Sequence, residues 1–331
     1  MPSPALPFPS LPVPGKVFTV KASRYIIVSL LLTLLSLPLA AQIKDTYVIP
    51  AAGNTPGANG TTWATRLSIF NPQAYTLRIS MTVIPTLGGQ GIEKFVDIPA
   101  NAMAYYGNVF HDVYGIGGTG ALLVATFPED NPTVPNTVID RAFLVESDTY
   151  NNASSGTFGQ TIPGVFTGLQ DFATDGISAI AHGVINNVGG WRTNIGAVNL
   201  GRSSVTMRVS VYDFDGHTIL NKAPFIIPPQ AHLQDRLPVT VDRGSVEFFL
   251  DDPSKDAVIF PYASVIDPGS GDPTYHSPLL LASPSVLATA GASKKTALMT
   301  SPLGRQIDTA YARTVREHAM RTGEVDVRKS D

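Results

Sequence analysis

The chain has 331 residues, 44% of them hydrophobic, with 29 glycines, 27 prolines and no cysteine. That leaves room for two ordinary domains with real cores and excludes global disorder; the missing thiols exclude disulfides, thiolate metal sites and cysteine nucleophiles. The net charge of −3 divides unevenly: residues 1–41 carry +3, residues 291–331 carry +3, and −9 is left for the stretch between, a poor match for phosphate backbones, so no nucleic acid partner is expected.

Residues 1–15 are proline-rich. Lys16, Lys21 and Arg24 then precede an apolar run from Ile26 to Leu39, with Pro38 near its end and Ala40, Ala41 and Gln42 behind it. A basic segment, a short apolar segment and small residues after it form the layout of a secretory signal peptide over residues 1–41. The run is too short for a comfortable membrane span, so no stable span is expected after signal cleavage. The basic segment is long for a signal, as a start codon downstream of Met1 would make it. The expected destination is secreted, periplasmic or cell-surface.

Residues 45–146 read as a first β-sandwich repeat. Thr46–Pro50 is an edge strand stopped by proline, and a Gly/Asn/Pro loop follows. Strands are expected at Trp63–Asn71, Thr76–Ile84, Ile92–Ile98, Gly120–Phe127 and Thr137–Glu146. Residues 147–176, rich in Gly, Ser, Thr and Asn, read as a linker. Residues 177–276 read as a second repeat, with Asp215-Gly216 marking a hairpin turn. The tail, residues 277–331, contains a plausible helix from Ile307 to Arg321 whose apolar stripe is thin, so weak packing or disorder is expected of it.

The two repeats are copies. Trp63, Thr65 and Asn71 recur as Trp191, Thr193 and Asn199, each 128 residues on, and these are the chain's two tryptophans. The register continues, since Leu77, Ile79, Met81 and Val83 align with Val205, Met207, Val209 and Val211 at the same offset. Ile98-Pro99 is echoed by Ile227-Pro228 after one inserted residue, and Thr137–Ser147 corresponds loosely to Ala257–Asp267.

Candidate chemistry is sparse. Trp63 and Trp191, with Thr65 and Thr193 on the same strand face, are ligand-binding candidates, aromatic platforms for sugars or other flat groups; large aromatics serve equally as core plugs in such folds. Asn71 and Asn199 most simply close turns with their own side chains. Asp267 and Asp272, on a Gly-rich loop, are the best metal candidates, for calcium, although the spacing matches no EF-hand and suits a tight turn as well. Asp213/Asp215 and Asp251/Asp252 are weaker versions. The six histidines (111, 182, 217, 232, 276 and 318) show no ligand spacing, and no hydrolase or nucleotide-binding motif occurs. His111-Asp112, read as neighbours on a strand, would point to opposite faces and orient no triad.

Ile49-Pro-Ala-Ala-Gly53, Pro56-Gly-Ala-Asn-Gly-Thr61, Trp63-x-Thr65, Phe70-Asn-Pro72, Gly156–Gly164, Arg192-Thr-Asn-Ile-Gly196, Asn199 and Tyr262–Asp267 carry a resemblance. Over residues 45–276 the chain resembles uncharacterised secreted bacterial proteins built from two tandem β-sandwich repeats. More loosely it is similar to immunoglobulin-like modules of bacterial surface proteins, without their Cys…Trp…Cys core. The resemblance implies fold and export; it brings no activity.

The sequence therefore predicts an all-β protein of two tandem antiparallel β-sandwich domains, about seven strands each. Its expected function is an exported, non-catalytic binding or structural module of the cell envelope or extracellular space, its ligand a glycan or a protein at the cell surface. The alternatives are a secreted hydrolase with its site in the interdomain cleft, and a self-assembling surface or fibre subunit.

Overall fold

The computed structural model describes residues 45–57, 61–153, 156–165, 177–250, 257–282, 313 and 315–317. The residues read as a signal peptide and most of the tail lie outside them. Among the described residues no helix is long and apolar enough to cross a membrane.

Two-residue alternation builds both repeats. Leu77, Ile79, Met81 and Val83 turn into one core while Val205, Met207, Val209 and Val211 turn into the other, all of them buried. A one-residue slip would send either row to the opposite face, so the pattern pins the register. The first repeat comprises β1 (Thr46–Pro56), β2 (Thr62–Phe70), β3 (Leu77–Pro85), β4 (Ile92–Ile98), β5 (Met103–Tyr106), β6 (Gly118–Ala125), β7 (Leu144–Ala153) and β8 (Gly156–Pro163), with a short helix α1 (Val109–Asp112). The second comprises β9 (Ile177–Asn186), β10 (Arg192–Asn199), β11 (Val205–Asp213), β12 (Thr218–Ile227), β13 (Ala231–Arg236), β14 (Val241–Leu250), β15 (Ile259–Ile266), β16 (Pro273–His276) and β17 (Leu279–Ala282).

The two repeats share a strand order. Rows β5-β2-β7-β8 and β4-β3-β6-β1 of the first repeat correspond to β13-β10-β15-β16 and β12-β11-β14-β9 of the second, where β17 adds an edge beside β9. In the first repeat Asn54–Pro56 of β1 also pair with Thr62–Ala64 of β2, which joins its two rows into one eight-stranded sheet around the core. Each repeat is thus an antiparallel sandwich, and the chain is all-β.

Several expectations need correction. The stretch read as a linker begins with strand: residues 147–153 and 156–163 belong to β7 and β8, which pair from Glu146–Pro163 to Ala153–Gly156. Small and polar residues do not prevent pairing, and Gly159 lets the two backbones close where a Cβ would meet Tyr150 at 2.7 Å. The strand expected over Thr137–Glu146 starts only at Leu144, because Asp140 N–H donates to Thr137 Oγ1 and closes a turn there. Leu144 pairs with Phe70 as Phe260 pairs with Val198, so the true offset in this region is 116. Nor is the pairing that of immunoglobulin domains, which place strands one, two, four and five in one sheet; here strands two, five, seven and eight share a row. Alternation marks which face is buried and leaves the choice of neighbour to the crossings between sheets.

The outer face of the β3-β6-β1 row is also buried. Val48, Ile84, Leu123 and Phe127 meet Val198, Leu200, Val258 and Phe260 of the second repeat in a shared apolar cluster. The tail joins it: Arg313 and Val315–Glu317 are helical, and Val315 is 3% exposed within the cluster. Weak packing of this part of the tail is thereby corrected, since one apolar side chain suffices where a cation beside it finds buried acids.

Candidate ligand cleft between the repeats

The duplicated polar residues serve the scaffold. Thr65 is fully buried; its Oγ1 accepts Gly53 N–H at 2.8 Å and shares a proton with Thr149 Oγ1 at 2.8 Å. Thr193, also fully buried, donates to Ile185 O at 2.6 Å and accepts Ile185 N–H at 3.2 Å. Both stitch a crossing strand to the motif strand. Asn71 donates to the carbonyls of Tyr75, Ile98 and Pro99 and accepts Gln73 N–H. Asn199 repeats this with Ser203, Ile227, Pro228 and Gly201 N–H. The turn-closing role read from the sequence holds in both copies.

The calcium loop is a self-capped turn. Asp267 Oδ1 accepts Gly269 N–H, Ser270 N–H and Ser270 Oγ–H at 2.7–3.0 Å, while Ser270 Oγ accepts Asp272 N–H. Asp213 spends its Oδ1 likewise on Asp215 and His217 N–H. Asp251 and Asp252 lie outside the described residues. Among the described residues no group of three or more His, Asp or Glu side chains is placed to hold a metal. His111 and Asp112 lie on α1, not on a strand, and they do meet, Nδ1 to Oδ1 at 3.1 Å on an exposed surface.

The two tryptophans part company. Trp191 is half-buried against the core of the second repeat. Trp63, also half-buried, lines a cleft of about 160 Å³ where the two repeats diverge. Gly57 lies against its ring, since a Cβ there would come within 2.9 Å of Cδ1 and Nε1. The second repeat contributes Arg192 and Asn194 of β10, His232 and Gln234 of β13 and Ser264 of β15 to the lining. Gln160 of β8 and Thr149 of β7 complete the polar lining.

A hydrogen-bonded row runs along this seam. Thr86 Oγ1 lies 2.8 Å from both Thr119 Oγ1 and His232 Nδ1, and His232 Nε2 lies 2.8 Å from Tyr262 Oη. Tyr262 Oη donates to Gln234 Oε1 at 2.8 Å. Because Tyr262 has one proton to give and gives it to Gln234, His232 Nε2 carries the hydrogen and Nδ1 accepts from Thr86. Burial presses the His232 pKa down to about 4, and burial, then Tyr275, pushes the Tyr262 phenol well up. The imidazole is neutral with both nitrogens engaged. It fastens the repeats together; Leu87 N–H donates to its carbonyl at 2.9 Å as well. Tyr262 lies across β10 over Gly196, where a Cβ would fall 2.3 Å from Cζ. Nothing in the sequence linked His232 to this place.

The fold and cleft define a class: an all-β protein of two fused sandwich repeats with a small polar cleft at their junction. No protein-family model and no curated protein matches the chain. Among solved structures, a lectin from Pleurotus ostreatus in complex with GalNAc matches over 72% of this chain and 84% of its own, at 9% identity. Its TM-score of 0.12 is too low to bear on fold or ligand.

Proposed function

We propose that this is an exported, non-catalytic binding module that holds a saccharide unit in the cleft between its repeats. The observation that carries this is that one indole, Trp63, lines the same cleft as amide, hydroxyl and guanidinium groups. An aromatic face takes the C–H face of a sugar ring while polar groups around it take the hydroxyls. A cleft of about 160 Å³ has room for roughly one ring. His232 supports a binding role over a hydrolytic one, because its neutral ring has no free nitrogen to act as a base. The signal-like residues 1–41 and the resemblance to secreted bacterial proteins support export.

A glycan array probed with the full chain tests this, with Trp63→Ala and Trp191→Ala alongside. Binding is expected to vanish in folded Trp63→Ala and to survive in Trp191→Ala, whose loss falls on thermal stability. Equal binding by Trp63→Ala and the parent, or no glycan bound at all, overturns the proposal.

A further inference from the structure

We infer that the saccharide unit this cleft selects carries a carboxylate, held by Arg192; the inference rests on the saccharide reading above. The charge inventory comes first. Among the described residues no Asp or Glu lines the cleft, although the stretch of chain between the basic termini carries −9. Arg192 stands at the first position of β10, and its side chain makes no hydrogen bond or ion pair among the described residues. The charge that bears on it is Arg236, of its own sign. Arg192 is exposed at the cleft, and partial desolvation, then Arg236, pulls its pKa down. Both effects oppose a cation there, and an anion arriving from solution offsets them with an opposite charge.

The amides point the same way. Ser264 Oγ donates to Gln160 Oε1 at 3.0 Å, and Tyr262 Oη donates to Gln234 Oε1 at 2.8 Å. Both glutamine carbonyls are thereby occupied, which leaves their NH₂ groups as donors. Asn194 lies two residues from Arg192 on β10, so it shares its face. Both nitrogens of His232 are taken within the seam. The cleft thus holds one guanidinium and two amide NH₂ groups that can only donate, beside hydroxyls and the Asn194 amide that can donate or accept, and no carboxylate among the described residues. A neutral sugar, equally donor and acceptor, would cover the guanidinium without answering its charge; a carboxylate answers it with two parallel N–H···O bonds.

The test is calorimetric titration of the full chain with glucuronate and galacturonate, against glucose, galactose and acetate, using wild type, Arg192→Gln, Arg192→Lys and Trp63→Ala. Thermal melts establish that each variant is folded. The uronates are expected to bind and the neutral sugars at least tenfold more weakly. Arg192→Gln should remove that preference, Arg192→Lys should recover part of it, and added salt should weaken uronate binding. Neutral sugars binding as tightly as uronates, with Arg192→Gln indifferent and Trp63→Ala inactive, overturns the carboxylate inference and leaves the saccharide reading standing. Acetate binding as tightly as the uronates, with Trp63→Ala indifferent, overturns the saccharide reading and this inference with it. Binding of none of the five overturns the carboxylate inference.

Discussion

Arg316 Nε stands 3.0 Å from Glu93 Oε1, so a helical turn near the C-terminus supplies the countercharge to a carboxylate that β4 buries completely. The same guanidinium bonds both oxygens of Asp130, at 2.8 and 3.1 Å, and lies over the rings of Phe95 and Phe127. Ser80 Oγ donates to Glu93 Oε1 at 2.6 Å. Burial outweighs these partners and raises the Glu93 pKa.

Removing the cation while leaving the acid buried is costly, so Arg316→Ala is expected to destabilise the protein by about 3 kcal/mol near neutral pH. Glu93→Gln in that background should restore part of the loss. Because the Glu93 pKa is raised, the deficit should shrink as pH falls and the carboxyl protonates. Urea unfolding of the single and double variants measures this. An unchanged midpoint in Arg316→Ala would show the docked turn to be dispensable.

His232 sets a pH dependence of the opposite sign. Its pKa is about 4 folded against 6.5 unfolded, so the unfolded chain takes up the proton first. Stability is full above pH 6.5 and falls as pH drops toward 4, by about 3 kcal/mol from this group alone. The raised pKa values of Asp45 and Glu93 work against that trend, so the informative quantity is a difference. The stability gap between wild type and His232→Gln should move by about 3 kcal/mol in the variant's favour between pH 7.5 and pH 4. Parallel pH curves for the two proteins would refute it.

Asn71→Ala and Asn199→Ala should each cost about 2 kcal/mol, because each strands buried carbonyls at equivalent turns. The residues share no partner, so the double variant should lose the sum to within about 0.5 kcal/mol. Denaturant curves of the three variants check both size and additivity.

Gly196→Ala places a Cβ 2.3 Å from Tyr262 Cζ. The ring sits between β10 and the seam and cannot yield without breaking its bonds to His232 and Gln234. The variant is expected to lose about 2 kcal/mol. The Tyr262 shift should also change the near-ultraviolet circular dichroism, and a wild-type spectrum with a wild-type melting point would contradict this account.

The duplication was legible because it is written in residue types whose roles are local. Thr65 and Thr193 each bond a strand that crosses beside them, and Asn71 and Asn199 each close the turn that follows. The aliphatic rows after them alternate as their cores demand. Turn chemistry also told the truth at Asp267, whose carboxylate is consumed within three residues. The β7–β8 hairpin was missed, since loop-like composition is only correlated with loops.

The cleft was half legible. Trp63 stood out by its repeat, but its copy Trp191 faces no second sandwich, so one sequence signal covers two different surroundings. Arg192, His232 and Gln234 gave no signal. They occupy faces that alternation assigns to solvent, and they meet first-repeat residues far away in the chain.

The sequence by itself determined what depends on near neighbours: most of the strands, which of their faces is buried, the repeated motif and the caps that close its turns. Tertiary structure alone decided what covers the outer faces. Val48 and Ile84 meet Phe260, Thr86 meets His232, and Arg316 finds Glu93. The physical reason is that periodicity records whether a side chain is removed from water, while the identity of what removes it depends on how one sandwich docks on another.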